Sequence, residues 1–150
     1  MPEIITDYFE LHIINQQDYN CLLLKRAQEN SLYPGIWQMV TGKIENQEDI
    51  KTALMRELRE ETGLTCSKFY STNRVNSFYL SSLQKICLSP VFFCMVNNRD
   101  IKISPEHSEF RWVDFEVAEN LIYWPNQIES LRVIYNYLTN GKLFGKLSII

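Results

Sequence analysis

Short apolar runs divide much of this chain into strand-length pieces. FELHIIN (9–15) and NCLLLKR (20–26) are dense in Leu, Ile and Phe. Only QQDY separates them, the spacing of a hairpin or of two adjacent strands. AQENSLYPG (27–35) gathers Asn, Ser, Pro and Gly and predicts a loop. IWQMVTG (36–42) predicts a short strand ending at Gly42. SKFYSTNRVNSFYLS (67–81) mixes aromatic and polar residues, as one or two half-exposed strands do. ICLSPVFFCMV (86–96) is the strongest strand pattern. Pro90 within it has no N–H for a ladder and predicts an edge, a bulge or a break. EFRWVD (109–114) alternates and predicts a sixth strand.

Three stretches carry a helical period instead. Ile50, Ala53, Leu54 and Leu58 fall on one stripe, so Gln47 to Thr62 predict a helix of about four turns, stopped by Gly63. DFEVAENLIY (114–123) predicts a short helix with Asp114 as its N-cap. WPNQIESLRVIYNYLTNG (124–141) opens on Pro125 and closes on Asn140 and Gly141, a start and a stop. Within it Ile128, Leu131, Ile134, Tyr135 and Leu138 recur at helical spacing. Strands interleaved with few helices predict a mixed sheet covered by helices. The last residues, KLFGKLSII (142–150), end apolar and are expected to cap the sheet or to contact a second subunit.

Composition narrows this further. The 150 residues suit one domain, 1–150, with a substantial core. At 45% apolar and 22% charged the chain is ordinarily globular. A net charge of −3 gives no general attraction to a nucleic-acid polymer. No apolar run is long enough to span a bilayer. MPEIITDYFELHII is not laid out as a signal peptide, so a cytoplasmic location is expected. Cys21, Cys66, Cys87 and Cys94 show no CxxC spacing and predict reduced thiols, mostly in the core.

The chemistry concentrates in GKIENQEDIKTALMRELREETGL (42–64). At 100° per residue, Glu57, Glu60 and Glu61 share an arc of roughly 100° on one helix face. They also lie in the last turn, where the helix dipole disfavours anions. An isolated glutamate pair is ordinarily a solvated face, balanced here by Lys51, Arg56 and Arg59. Three carboxylates placed against electrostatic preference point further, to a hard divalent cation. Mg²⁺ takes oxygen ligands and commonly holds a phosphate substrate.

Gly42, five residues, Glu48, seven residues, Arg56-Glu57-Leu58, one residue, Glu60-Glu61, one residue, Gly63-Leu64 resembles the Nudix box at every defined position. Nine such matches have a chance frequency on the order of 10⁻⁹ per starting point at average residue usage, which excludes coincidence. The resemblance implies an α/β fold, the Nudix αβα sandwich with a central mixed sheet. It implies hydrolysis of a nucleoside diphosphate linked to another group, with Mg²⁺ or Mn²⁺. Glu57, Glu60, Glu61 and the Gly42 carbonyl would hold the metal. Glu48 and Arg56 would tie loop to helix, and Glu57 or an acid outside the box would take a proton from water.

Outside the box, WQMVTGKIE (37–45), SPVFFCMV (89–96), PEHSEFRWVDFEVAENL (105–121) and YWPNQIESL (123–131) resemble the bacterial dihydroneopterin triphosphate pyrophosphohydrolases, which also take dATP. That resemblance implies Glu106 as a further metal-binding and catalytic acid, with Glu109 its competitor. His107 is a candidate to touch phosphate or orient Glu106, with a packed or exposed structural histidine as the alternative. His12, in an apolar strand, is expected to be a satisfied core residue. Trp37, Phe78, Trp124 and Asn126 are candidates to stack on or read a pterin or purine ring. Lys25, Arg26 and Lys43 are candidates to neutralise the triphosphate. The expected partner is a small-molecule triphosphate, with no nucleic-acid polymer and no membrane, and the protein a monomer or homodimer. A diadenosine polyphosphate or nucleotide-sugar hydrolase is the alternative, and a non-catalytic nucleotide-binding domain a second one.

Overall fold

The computed structural model describes residues 1–29 and 32–150. Of the loop expected over 27–35, Asn30 and Ser31 therefore lie outside the described residues. Among the described residues, nine strands and four helices follow in the order β1 (Glu3–Ile5), β2 (Tyr8–Asn15), β3 (Cys21–Arg26), β4 (Trp37–Gln38), β5 (Val40–Lys43), α1 (Ile50–Thr62), β6 (Phe69–Leu80), β7 (Lys85–Val96), β8 (His107–Val113), α2 (Phe115–Leu121), α3 (Pro125–Thr139), α4 (Gly141–Phe144) and β9 (Ser148–Ile149). The strands form one mixed sheet in the order β4-β3-β2-β7-β6-β9, with β5 beside β2, β8 beside β3 and β1 beside β7. β2 and β7 run parallel, as do β1 and β7, and the remaining strand pairs are antiparallel.

β2 and β3 are buried on both faces over most of their length, because helices cover both faces of the sheet. Phe9, Leu11, Leu22 and Leu24 pack with Ala53, Leu54 and Leu58 of α1. Ile14, Cys21, Leu23 and Phe93 pack on the other face with Ala118 of α2 and Leu131, Ile134 and Leu138 of α3. Each fully buried Leu or Ile contributes roughly 1.5–3 kcal/mol, so the two layers together fix which way each helix faces.

Local chemistry moves several boundaries. α1 starts at Ile50, not Gln47, because Asp49 is the N-cap and accepts from the Thr52 N–H at 2.8 Å, while Gln47 sits at φ +67°. Gly63 ends the helix at φ +74°, its N–H reaching the Arg59 carbonyl at 2.9 Å. The strand expected over 36–42 is two: β4 pairs with β3 and β5 with β2. Between them buried Met39 gives its N–H to Gln127 Oε1 at 3.0 Å. Pro90 lies inside β7, where the partner strand β6 shifts register between Ser71 and Val75. On its other side, β1 pairs only as far as Cys87 and β2 begins at Val91. The expected bulge is thus on the neighbour, and it ends at Val75, the residue in register with Pro90. β9 caps the sheet edge beside β6. Cys21, Cys66, Cys87 and Cys94 are free, and all but Cys66 are buried. Among the described residues, no helix is long and apolar enough to cross a membrane.

Candidate active site

Gly42 lets α1 approach β5. A Cβ there would lie 2.4 Å from Phe9 Cζ and 2.6 Å from Glu57 Cγ. Only a residue without a side chain brings the strand backbone this close to the acidic face of the helix. Glu57 and Glu61 are mostly buried, their side chains 13% and 9% exposed, whereas Glu60 is 53% exposed and stands in solvent.

Arg56 organises one side of this group. Its Nε and Nη2 donate to the two oxygens of Glu48 at 2.6 and 3.0 Å, a bidentate pair. Nη2 also donates to the Lys43 carbonyl at 2.8 Å. Nη1 reaches Glu57 at 2.8 Å and Glu60 at 3.2 Å. Glu48 Oε2 in turn accepts the Glu45 N–H at 3.0 Å. The guanidinium so ties the 43–48 loop to α1 and holds Glu48 down to a pKa of about 2. Burial pushes the Glu57 carboxyl above its ordinary value, against the pull of Arg56.

Glu61 turns toward the other side. Its Oε2 accepts from Ser104 Oγ at 2.8 Å and lies 2.9 Å from His107 Nδ1. Burial pushes its carboxyl up, but His107, Ser104 and the charge of Arg26 outweigh that and hold it below the usual range. His107 Nε2 is buried with no partner among the described residues. Glu106 is exposed; its carbonyl accepts from the Ala27 N–H at 2.9 Å and its N–H donates to Ser104 Oγ at 3.3 Å. Glu109 lies 3.9 Å from Lys25 instead. Among the described residues, no three His, Cys, Asp or Glu side chains converge closely enough to hold an ion as they stand. Arg56 occupies Glu57 and Glu60, so a cation would have to draw them from the guanidinium.

The residues present suit such an ion in kind. The carboxylates are hard oxygen donors, Glu57 and Glu61 are partly desolvated, and Gly42 leaves room that a Cβ would fill.

An apolar cavity of about 250 Å³ opens nearby, lined in part by Tyr8, Arg26, Thr41, Phe78, Trp124 and Asn126. Four of the ring- or phosphate-binding candidates, Arg26, Phe78, Trp124 and Asn126, therefore share it. Trp37 and Lys43 do not line it. The Trp37 ring lies under Lys25 and Arg111, at 5.8 and 5.1 Å, and packs on the second core. Lys43 pairs with Asp7 at 3.4 Å. Tyr33 meets Trp124 edge to face at 4.7 Å and completes an aromatic wall. Arg26 belongs to both places, since it lines the cavity and its charge acts on Glu61.

The buried polar floor of the cavity was not singled out from sequence. Glu10, Gln38, Asn76, Ser89 and Gln127 line it and are nearly inaccessible. Glu10 pairs with His12 Nε2, and His12 Nδ1 has no partner among the described residues. His12 is therefore only half satisfied, against expectation. A usable signal existed: Glu10 and His12 alternate with Phe9, Leu11 and Ile13, which places both polar groups on one strand face.

A family model described as "NUDIX domain" matches residues 11–133. The nucleoside triphosphatase NudI of Escherichia coli O81 is 28% identical over 134 residues, covering 79% of this chain and 88% of that protein. Among solved structures, the MutT protein of Methanosarcina mazei Go1 superposes with a TM-score of 0.74 at 27% identity, covering 94% and 97% of the two chains. The dihydroneopterin triphosphate pyrophosphohydrolase of E. coli gives 0.70 at 24%, covering 83% and 91%, a likeness of fold.

Proposed function

The chain belongs to the NUDIX domain family, and on that premise we propose that it is a divalent-metal-dependent pyrophosphohydrolase. Its substrate is a nucleoside or pterin triphosphate, cleaved by water to the monophosphate and pyrophosphate. The observation that carries this is the arrangement around Arg26: one residue lines a ring-sized aromatic cavity and lies within electrostatic reach of the helix carboxylates. A ring in the cavity leaves its phosphates at the Arg26 and Thr41 side, toward Gly42 and α1. NudI, by its name, is a nucleoside triphosphatase, which agrees with a triphosphate substrate.

Glu57, Glu60, Glu61 and the Gly42 carbonyl would hold the ion, with Glu106 supplying a further carboxylate. When bound, Mg²⁺, or Mn²⁺ in its place, neutralises phosphate charge and lowers the pKa of an attacking water. The chain's own residues do the rest. Arg56 and Glu48 fix the loop that presents the Gly42 carbonyl. Burial makes Glu57 a better proton acceptor than Glu61, which His107 and Ser104 hold ionised. Arg26 draws the phosphates toward the cluster, and Trp124 with Tyr33 confines the ring.

A dinucleoside polyphosphate is a poorer fit, because about 250 Å³ accommodates one ring system. The test is release of pyrophosphate and orthophosphate with Mg²⁺ from dihydroneopterin triphosphate, dATP, GTP, diadenosine tetraphosphate and ADP-ribose. Pyrophosphate from the triphosphates, well above any product from the last two, is expected. Silence across the panel while nucleotide still binds contradicts the enzyme and leaves a sensor.

A further inference from the structure

The buried polar floor of the cavity takes no part in the chemistry above, and its hydrogen bonds run in a fixed sense. The Ser130 hydroxyl donates its one hydrogen to the Asn126 carbonyl at 2.9 Å. Ser130 Oγ is therefore the acceptor for Asn76 Nδ2, also at 2.9 Å. Arg74 Nη2 donates to Asn76 Oδ1 at 3.4 Å, which fixes the amide in the same sense. The second hydrogen of the Asn76 amide goes to Glu10 Oε1 at 3.0 Å. Asn76 thus has no donor left for a ligand. Glu10 faces the cavity as an acceptor, held there by Asn76 on one oxygen and His12 on the other. Each carboxylate oxygen keeps a second lone pair.

The opposite polarity lies elsewhere on the same wall. Gln38 Oε1 accepts from Trp124 Nε1 at 3.2 Å and Gln127 Oε1 accepts from the Met39 N–H at 3.0 Å. Their oxygens are occupied, so their NH₂ groups are the ends turned to donate. Asn126, which sequence suggested as the ring reader, uses its own NH₂ on the Ser77 carbonyl at 3.1 Å.

From this polarity, and resting on the triphosphate reading above, we propose that Glu10 is the specificity-determining residue of the cavity and selects a 2-amino-4-oxo-pyrimidine ring. That ring, shared by guanine and pterins, sets a ring N–H beside an exocyclic NH₂, two donors for one carboxylate. Its neighbouring carbonyl meets the glutamine NH₂ groups. Adenine places an acceptor nitrogen beside its amino group, and that lone pair would face the carboxylate. Hypoxanthine keeps the N–H and the carbonyl but lacks the amino group. A site built to hydrogen-bond a polar group discriminates strongly against the analogue without it.

The test uses monophosphates, so that it does not depend on hydrolysis. Calorimetric titration of the full chain with GMP, IMP, AMP, TMP and dihydroneopterin monophosphate reads ring selection directly. GMP is expected to bind roughly 10- to 100-fold more tightly than IMP, the range for one hydrogen bond to a charged group, and more tightly than AMP or TMP. Dihydroneopterin monophosphate against GMP then distinguishes a pterin from a purine source. Glu10→Gln, which replaces one acceptor oxygen by a donor, should bring the GMP-to-IMP ratio to near one, with folding followed by circular dichroism. If that variant does not fold, the wild-type ratio decides alone. A ratio near one, tighter binding of AMP or TMP, absence of saturable binding, or a folded Glu10→Gln that keeps the ratio overturns the proposal. Hydrolysis with no ring preference defeats this inference only; ring preference without hydrolysis defeats the enzymatic reading only.

Discussion

Gly42 and Glu48 show how single side chains set the geometry of the acidic face. In Gly42→Ala the new Cβ meets the Phe9 ring, which is fully buried, and the Cγ of Glu57. Neither can retreat freely, so the substitution is expected to lower stability by about 1–3 kcal/mol, the usual range for overpacking. Urea unfolding measures it, and an unchanged midpoint would mean that strand and helix do not need this close approach. Glu48 makes a prediction about pH. Arg56 lowers its carboxyl from an ordinary 4.5 to about 2 in the folded chain. A lowered value means that its stabilising effect is fully present above pH 4.5 and is lost as pH falls toward 2. The stability gap between wild type and Glu48→Gln should therefore narrow over that window. A gap constant from pH 7 to pH 2.5 would show that the pair is not coupled to folding. At this scale the sequence was informative about the box, because its residues are contiguous and their spacing is itself the signal. It offered His107 as a partner of phosphate or of Glu106, not of Glu61, and it did not offer Ser104; both reach Glu61 from a segment more than forty residues away.

α1 was legible as an element because two independent patterns coincide on it, the buried stripe and the charged face. Its start was misjudged by three residues, since the apolar period does not reveal that Asp49 is the cap. Asp49→Ala removes the acceptor of the Thr52 N–H and should cost about 1 kcal/mol. Thermal unfolding checks this, and Asp49→Asn should recover most of the loss. The break between β4 and β5 escaped notice for a different reason. IWQMVTG reads as one extended run, and only the pairing partners, β3 for one half and β2 for the other, divide it. That division has consequences for Trp37 and Gln38, which point to opposite faces. Trp37 goes to the cationic pair Lys25 and Arg111, and Gln38 to the cavity. The more conspicuous aromatic residue lies outside the cavity, and its polar neighbour lines it.

Across the whole molecule the sheet carries two sets of groups, reached from different parts of the chain. The box supplies the carboxylates, while the cavity takes Glu10 from β2, Asn76 from β6 and Gln127 from α3. No local pattern joins those three, so the cavity floor emerges only from the strand order β2-β7-β6 with α3 laid across it. Separation of the two sets predicts separable kinetics. Trp124→Ala, which removes part of the aromatic wall, should raise KM several-fold while leaving kcat within about threefold, as loss of uniform binding does. A fall in kcat with unchanged KM would place Trp124 in the chemical step instead. In the proposed function the acidic face of α1 runs metal-dependent cleavage of a triphosphate. Its most direct test is the rate of pyrophosphate release against Mg²⁺ concentration, in wild type and in Glu60→Gln. Glu60 is half exposed and its contact with Arg56 lies at the surface, so its neutral analogue should leave the fold intact. We expect saturable Mg²⁺ activation in wild type and a loss of at least about 100-fold in the variant, the scale on which removal of transition-state charge stabilisation is felt. Equal rates in the two proteins, or release that needs no divalent ion, would contradict the account.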